Sequence, residues 1–158
     1  MDLILWRHAE AIEKGEPVDD LQRPLTAKGE RQADRMGKWL DRVLPASTRV
    51  IASPAVRTQQ SAKALHRRFK TVDALAPDRG IESLLGAAGW PGSKGPVLVV
   101  GHQPVLGLTA AYLLAGLQGD AASAWRLKKG AVWWLRSHED EVDGQHITLV
   151  AVQSPDML

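Results

Sequence analysis

Cysteine is absent from this chain of 158 residues. That absence excludes disulfides, cysteine-ligated metal centres and every enzyme that attacks its substrate with a thiolate. Long apolar runs are missing too, since no stretch reaches the ~18–20 residues that a membrane-spanning helix needs. The short apolar run near the N-terminus has no basic residue before it and is unlike a signal peptide. These absences predict a cytoplasmic protein that does not enter a membrane.

A large excess of charge of either sign is also missing. Twenty Lys and Arg residues oppose eighteen Asp and Glu residues, which leaves a net charge of +2. So small a net charge argues against a nucleic-acid binder, which concentrates positive charge on one face. Hydrophobic residues make up 44% of the chain and charged residues 24%, the proportions of a globular protein. The length, without a linker or repeat, predicts one domain over residues 1–158.

Three short apolar runs are typical of buried β-strands. They cover residues 3–6, 49–52 and 97–100. Two further strand-like runs, at residues 131–136 and 146–152, flank Asp143-Gly144, a dipeptide that favours a tight turn. The sequence therefore predicts three buried strands followed by a C-terminal antiparallel hairpin.

Helical periodicity follows the first two strands. Thr26 is the predicted N-cap of a helix over residues 27–44. Ser53 before Pro54 is a cap residue ahead of a proline, which predicts the start of a second helix. The apolar stripe of that helix reaches Phe69. Both helices are expected to bury one face.

The third strand precedes another helix, predicted from Gln103-Pro104 to about residue 115. Residues 71–96 are rich in Gly, Ala and Pro and predict a loop region with a short helix around residues 82–88. Alternation of buried strands with amphipathic helices predicts a layered α/β fold around a mostly parallel central sheet.

Charged and polar side chains follow all three buried strands. Arg7 and His8 follow the first, Arg57 lies in the helical turn after the second, and His102 follows the third. Because the carboxyl ends of parallel strands open onto one crevice, we expect these four side chains to converge. Helix N-termini at the same edge add free N–H groups and positive dipole ends, which favour an anion.

Phosphate is the anion that suits this set of residues. Two guanidiniums can each grip tetrahedral oxygens through paired hydrogen bonds. Two histidines beside a phosphate indicate phosphoryl transfer, in which one imidazole attacks phosphorus and the other binds an oxygen. The sequence has no P-loop, no dinucleotide-binding glycine motif, no serine nucleophile elbow and no paired Asp cluster for two metals.

Four segments in order resemble the motifs of the histidine phosphatase superfamily, the family with the phosphoglycerate mutase-like fold. They are Trp6-Arg7-His8-Ala9, Arg23-Pro24-Leu25-Thr26 with Gly29, Ser53-Pro54-Ala55-Val56-Arg57-Thr58-Gln59-Gln60-Ser61-Ala62, and Gly101-His102-Gln103-Pro104. The resemblance extends from residue 1 to about residue 117 and is strongest to SixA-type phosphohistidine phosphatases. It implies a three-layer α/β sandwich, with helices on both faces of a mostly parallel sheet and a C-terminal antiparallel hairpin.

The resemblance also implies roles for the four residues. His8 attacks phosphorus and forms a phosphohistidine that water then hydrolyses, without a metal or another cofactor. Arg7, Arg57 and His102 hold the phosphoryl oxygens and stabilise the charge that spreads over them in the transition state. The positive charges of both arginines disfavour protonation of His8, which keeps its attacking nitrogen free.

Three further positions depart from the family pattern or extend it. Ala9 stands where the family usually has Gly. Glu82 is the candidate proton donor by position, although an imidazole leaving group needs little help from an acid. Arg23 is a candidate accessory phosphate contact, since its loop is expected to border the crevice.

The sequence thus predicts a metal-independent phosphatase that acts on phosphohistidine in a protein, such as a phosphotransfer domain, and that works as a monomer. One alternative is a small-molecule phosphomonoesterase of the same superfamily, for which Glu82 would be the acid. Another is a phosphoprotein-binding module without catalysis. The sequence predicts no nucleic-acid or membrane partner and no metal site.

Overall fold

The computed structural model describes residues 1–15, 18–123, 125–141 and 144–158. Its centre is a six-stranded sheet with the strand order β3-β2-β4-β1-β5-β6. The strands are β1 (Asp2–Arg7), β2 (Arg49–Ala52), β3 (Lys70–Thr71), β4 (Val97–Gly101), β5 (Val132–Asp140) and β6 (Gly144–Gln153). The helices are α1 (Ala27–Val43), α2 (Val56–Lys63), α3 (Ile81–Ala88) and α4 (Val105–Ala115).

The sheet is parallel over four strands and antiparallel at one side. β3, β2, β4 and β1 lie side by side in this order, and each runs parallel to its neighbours among these four. β5 pairs antiparallel with both β1 and β6. The predicted α/β fold with a mostly parallel sheet and a C-terminal antiparallel hairpin is therefore confirmed. Asp143 of the predicted turn lies outside the described residues.

Alternate residues of the central strands pack into two separate hydrophobic cores, one on each face of the sheet. Leu3 and Leu5 of β1 face one core, which α3 and α4 cover. Ile4 and Trp6 face the other, which α1 and α2 cover. This arrangement follows from the two-residue period of a strand, because successive side chains point to opposite faces. Helices on both faces give the three layers that the resemblance implied.

The first helix begins as predicted, and the second does not. Thr26 is the N-cap of α1 and accepts a hydrogen bond from the Gly29 amide at 3.0 Å. Ser53 does not cap α2: the N-cap is Ala55, and the helix begins at Val56. The helix also ends at Lys63, six residues before Phe69, because the chain turns through His66, whose φ is +56°.

The later elements follow the prediction more closely. The short helix predicted around residues 82–88 is α3, and the helix after Gln103-Pro104 is α4. The two-residue strand β3 was not predicted, because both of its residues are exposed and give no apolar signal. Within the described ranges, no helix combines the length and the apolar character that crossing a bilayer requires.

Candidate active site

Polar side chains follow β1 and β4 at one edge of the sheet. Arg7 is the register partner of Gly101, so His8 and His102 leave neighbouring strands side by side. Their ring centroids lie 5.3 Å apart. A cavity of about 360 Å³ opens at this edge. Five of the six predicted site residues line it: Arg7, His8, Arg23, Arg57 and His102.

The backbone after His8 is held by side chains from two helices. The amide of Ala9 donates to Ser61 Oγ of α2 at 3.1 Å. The amide of Glu10 donates to Gln32 Oε1 of α1 at 3.0 Å. These bonds fix the position of the turn that carries His8. Ser61 and Gln32 therefore support the turn although neither of them lines the cavity.

The N-cap of α1 closes against the same turn. Thr26 Oγ1 donates to the carboxylate of Glu10 at 2.9 Å, and the Thr26 amide donates to the Glu10 carbonyl at 2.9 Å. Gly29 packs so tightly here that a Cβ would overlap the Glu10 carbonyl oxygen. Ala9, the departure from the family pattern, fits its surroundings: its methyl group is fully buried in a small cluster that includes Leu25.

His8 presents a neutral ring with one nitrogen free. Its Nδ1 lies 2.7 Å from the carbonyl oxygen of Ala9. Because a carbonyl oxygen only accepts, Nδ1 carries the proton and donates it. Burial and the positive charges of Arg57 and Arg7 lower the pKa of His8 to about 3, against the opposing effect of the bond to Ala9. At neutral pH, Nε2 therefore keeps the lone pair that a nucleophile needs.

His102 is also neutral and is 3% exposed. Burial lowers the pKa of His102 to about 3, and the neighbouring His8 and Arg57 act in the same direction. Its Nε2 lies 2.7 Å from Ser53 Oγ, the serine that follows β2. Its Nδ1 is buried and has no hydrogen-bond partner among the described residues.

Asp20 joins two of the predicted arginines. The Arg57 guanidinium, 3% exposed, donates to the Asp20 carbonyl at 2.6 Å and to its carboxylate at 3.2 Å. Arg23 donates to the same carboxylate at 3.0 Å and to the Ile12 carbonyl at 2.6 Å. Burial raises the pKa of Asp20, but the two guanidiniums outweigh it and leave the pKa below its usual value. Asp20 is thus a charged carboxylate, and it links Arg23 to Arg57 of α2.

Arg7 is anchored from the other side of the cavity. Its Nη1 donates to the Leu127 carbonyl at 2.7 Å. The amide of Gly130 donates to the His8 carbonyl at 3.0 Å, which ties residues 127–130 to the turn. Burial lowers the pKa of Arg7, and the charge of Arg126 lowers it further. A half-buried cation in this position favours the arrival of an anion.

Three buried nitrogen atoms of residues that line the cavity have no hydrogen-bond partner among the described residues. They are Arg7 Nε, Arg57 Nε and His102 Nδ1. An unsatisfied buried donor costs about 1–3 kcal/mol, and more when it belongs to a charged group. Two arginines and a histidine with such atoms line one cavity, and this concentration of hydrogen-bonding nitrogens and positive charge favours an oxyanion there.

Glu82 does not line this cavity. It lies on α3 beside a separate groove of about 890 Å³, whose walls include Leu108 and Tyr112 of α4. The one carboxylate among the described residues that line the cavity belongs to Glu13. Sequence position suggested Glu82 because it falls between Arg57 and His102, but the direction in which α3 presents it depends on tertiary packing.

Several residues of the site carry no distinctive signal in the sequence. Glu13 and Lys14 lie in an irregular loop, and Lys129 precedes β5; all three line the cavity with Gln103. Ser53 resembled a helix cap. Among the described residues, no group of three or more His, Asp or Glu side chains is placed to hold a metal ion.

Comparisons with known proteins show the family of this chain. The family model of the histidine phosphatase superfamily (branch 1) matches residues 3–87, more than half of the chain. An uncharacterized protein of Picosynechococcus sp. is 30% identical over 144 residues, which cover 87% of this chain and 86% of that protein.

Solved structures resemble the chain over nearly its whole length. A structure from Nakamurella multipartitia, provisionally assigned as the phosphohistidine phosphatase SixA, is 30% identical with a TM-score of 0.74 and covers 98% of this chain and 95% of its own. The protein histidine phosphatase SixA complexed with tungstate is 22% identical with a TM-score of 0.72, and covers 99% of each chain.

The same fold also serves another substrate. A mycobacterial glucosyl-3-phosphoglycerate phosphatase is 16% identical with a TM-score of 0.69, and covers 95% of this chain and 97% of its own. Likenesses at this level of identity show the fold alone. The family model and the relatives at 30% identity carry the assignment: this chain belongs to the histidine phosphatase superfamily, branch 1.

Proposed function

We propose that this protein is a metal-independent phosphatase that removes phosphate from phosphohistidine in a protein through a phosphoenzyme on His8. The observation that carries the proposal is a set of three buried nitrogen atoms, on Arg7, Arg57 and His102, that have no hydrogen-bond partner among the described residues. These three residues line the same cavity as His8, whose ring is neutral and whose Nε2 carries a lone pair. Donors for a phosphoryl group and a nucleophile thus share one cavity.

The proposed reaction has two steps. First, His8 Nε2 attacks phosphorus, the bond from phosphorus to the substrate nitrogen breaks, and the substrate imidazole leaves with the electron pair. Second, water attacks the phosphorus on His8, and inorganic phosphate leaves with Nε2 regenerated. Arg7 and Arg57 stabilise the charge on the phosphoryl oxygens in both steps.

The leaving group distinguishes phosphohistidine from a phosphate ester. A phosphohistidine whose second ring nitrogen is protonated expels a neutral imidazole, which needs no further acid. An alkyl ester expels an alkoxide, which needs a proton in the transition state. Glu82, the acid that sequence position offered for an ester, lies outside the cavity, and phosphohistidine is the substrate that does not need it. The likeness to a structure assigned as SixA points the same way.

A small-molecule phosphomonoesterase is the second candidate, and Glu13 is the observation that favours it. This carboxylate lines the cavity and could protonate an alkoxide. The volume of about 360 Å³ also falls within the range of small-ligand pockets.

As part of the leading proposal, the enzyme acts as a monomer in the cytoplasm on a protein of the phosphotransfer-domain type.

The test compares two substrates without added metal. A phosphohistidine-carrying phosphotransfer protein and p-nitrophenyl phosphate are each incubated with the wild type and with His8→Ala. We expect rapid phosphate release from the phosphoprotein, feeble ester hydrolysis, and loss of both in the variant. Strong ester hydrolysis with no action on phosphohistidine would move the protein to the second candidate. Stoichiometric binding of the phosphoprotein without release would indicate a binding module.

A further inference from the structure

Ser53 lies behind the second histidine and does not line the cavity. It follows β2, is fully buried, and its amide donates to the Val100 carbonyl of β4 at 3.1 Å. Its Oγ is 2.7 Å from His102 Nε2. The amide of Ala55 donates to the same Oγ at 3.3 Å. The hydroxyl is therefore held between a backbone donor and an imidazole nitrogen.

Hydrogen-bond balance fixes the direction of the bond between Ser53 and His102. A hydroxyl has one hydrogen to donate and two lone pairs to accept. The Ala55 amide can only donate, so it occupies one lone pair. The hydroxyl hydrogen then needs an acceptor, and His102 Nε2 is the acceptor within reach among the described residues. If Nε2 carried the proton instead, the buried hydroxyl hydrogen would be left without a partner.

The direction of this bond determines what His102 offers to the cavity. A neutral imidazole that accepts at Nε2 carries its proton on Nδ1. Nδ1 is buried and has no hydrogen-bond partner among the described residues, and His102 lines the cavity together with Arg7 and Arg57. An N–H at that place completes a set of donors, whereas a lone pair would repel the oxygens of an anion.

We propose that Ser53 is a positioning residue: its hydroxyl donates to His102 Nε2 and thereby makes Nδ1–H a hydrogen-bond donor to a phosphoryl oxygen. His102 supplies this bond without a charge of its own. The part of the inference that concerns turnover rests on the proposed phosphatase activity. The part that concerns the tautomer and the binding of phosphate does not.

The direct test is the tautomer of His102 in the wild-type protein. Ring nitrogens are observed by ¹⁵N–¹H NMR near pH 7 in a buffer without oxyanions, and His102→Gln assigns the signals. We expect a protonated Nδ1 and an unprotonated Nε2, with a shift of the Nδ1 signal on addition of inorganic phosphate. A protonated Nε2, or a Nδ1 signal that does not respond to bound phosphate, would overturn the proposal.

Variants then separate positioning from mere packing. In Ser53→Ala we expect His102 to lose its single tautomer and the Kd for inorganic phosphate to rise roughly tenfold, the effect of one hydrogen bond to a charged partner. Ser53→Thr keeps the hydroxyl and, where it folds, should restore the Nδ1–H tautomer. Retention of both the tautomer and the phosphate affinity in Ser53→Ala would contradict the proposal.

Thr109→Val is the matched control. Thr109 is a fully buried residue of α4, and its hydroxyl donates to the Val105 carbonyl at 2.8 Å. Its removal should lower stability without changing the His102 tautomer or the Kd for phosphate. If the NMR and binding results hold but no phosphoenzyme or turnover is found, the phosphatase proposal fails and the role of Ser53 stands. If an active enzyme carries the Nε2–H tautomer, the role of Ser53 fails and the phosphatase proposal stands.

Discussion

At the scale of single residues, His8 and His102 make the stability of the folded protein depend on pH. Both have a folded-state pKa lowered to about 3 from the ordinary value of 6.5, mainly by burial. Between these values the unfolded chain binds protons that the folded protein does not bind. The contribution of the two neutral histidines to the free energy of unfolding is therefore fully present above about pH 6.5. It is lost progressively as the pH falls toward 3.

We predict that the free energy of unfolding falls between pH 7 and pH 5 by about 2 kcal/mol for each of these histidines. Urea denaturation in an oxyanion-free buffer measures the fall, and the variant His8→Gln/His102→Gln serves as reference. The wild type should lose more stability than the variant over this interval. An identical pH dependence in the two proteins would show that the histidines are not held neutral.

Two carboxylates give a second prediction at this scale. Glu82→Gln should leave the hydrolysis of phosphohistidine unchanged within about twofold, because Glu82 lies outside the cavity. Glu13→Gln should lower kcat for an alkyl phosphate ester by roughly a hundredfold where ester hydrolysis is measurable, the usual contribution of a general acid. Steady-state kinetics on both substrates measures these effects. A large loss in Glu82→Gln would require α3 to move toward the cavity during catalysis.

Residues of the candidate site could be predicted from the sequence where the order of strands and helices alone determines their position. His8 and His102 follow the parallel strands β1 and β4, and Arg7 is the last residue of β1. Arg57 lies in the first turn of α2, after β2, and the topology brings all four to one edge. Glu82 could not be placed in this way, since the side of α3 that faces the cavity is decided by packing. Asp20 could not be found either, because it begins a 3-10 helix of only three residues, too short for a periodic signal, and acts through its contact with Arg57.

At the scale of secondary structure elements, the close approach of α1 to the turn after His8 gives the next prediction. A Cβ at Gly29 would meet the Glu10 carbonyl oxygen, so Gly29→Ala should displace that turn. We expect a loss of about 1–3 kcal/mol in the free energy of unfolding, the usual range for overpacking, with a clear fall in kcat.

Gly86→Ala is the control for this variant. Gly86 also lies within a helix, α3, and a Cβ there meets nothing within 4 Å. The same substitution should therefore raise the free energy of unfolding by about 0.5–1 kcal/mol, since alanine favours a helix. Urea denaturation of both variants checks the pair. A Gly29→Ala protein as stable and as active as the wild type would contradict the packing described here.

Secondary structure elements could be predicted where the sequence around them carries a complete local signal, such as a capping residue or an apolar run. The start of α1 follows from Thr26, which caps the helix as expected. The start of α2 was misassigned because a serine before a proline usually marks a helix N-terminus, whereas Ser53 here contacts His102. Strand β3 gave no signal, because its two residues are exposed and are ordered by pairing with β2.

At the scale of the whole molecule, a basic strip beside the cavity bears on the kind of substrate. Arg126, Lys128 and Lys129 are exposed, and the Leu127 carbonyl between them binds Arg7. Lys129 lines the cavity, whereas Arg126 and Lys128 stand outside it. A protein substrate large enough to extend beyond the cavity would meet these charges, and a small ligand within the cavity would not.

We predict that Arg126→Gln/Lys128→Gln lowers kcat/KM for a phosphoprotein with an acidic surface by roughly five- to tenfold at low salt. Hydrolysis of free phosphohistidine should change less than twofold. High salt should remove the difference, because it screens exposed charges. The matched control is Arg68→Gln/Lys70→Gln, an equal loss of charge at two exposed residues that do not line the cavity. Equal effects of both double variants on the phosphoprotein would exclude a role for the strip.

The architecture as a whole could be predicted from alternating strands and helices, because few topologies join them with parallel pairing. The positions of Glu13, Lys14 and Asp20 could not. The sequence around these residues has no repeating pattern, and the position of Asp20 depends on its long-range contact with Arg57. Sequence patterns specify the framework here, and the rim of the site depends on packing.

Trapping the phosphoenzyme is the decisive experiment for nucleophilic attack by His8 Nε2. The protein is mixed with a phosphohistidine substrate, quenched within the first turnover under alkaline denaturing conditions that preserve phosphohistidine, and mapped by mass spectrometry and NMR. We expect phosphate on Nε2 of His8, since Nδ1 donates to the Ala9 carbonyl. No phosphoenzyme should form in His8→Ala. Phosphate on another residue, or release of phosphate from substrate without any phosphoenzyme on His8, would contradict attack by His8.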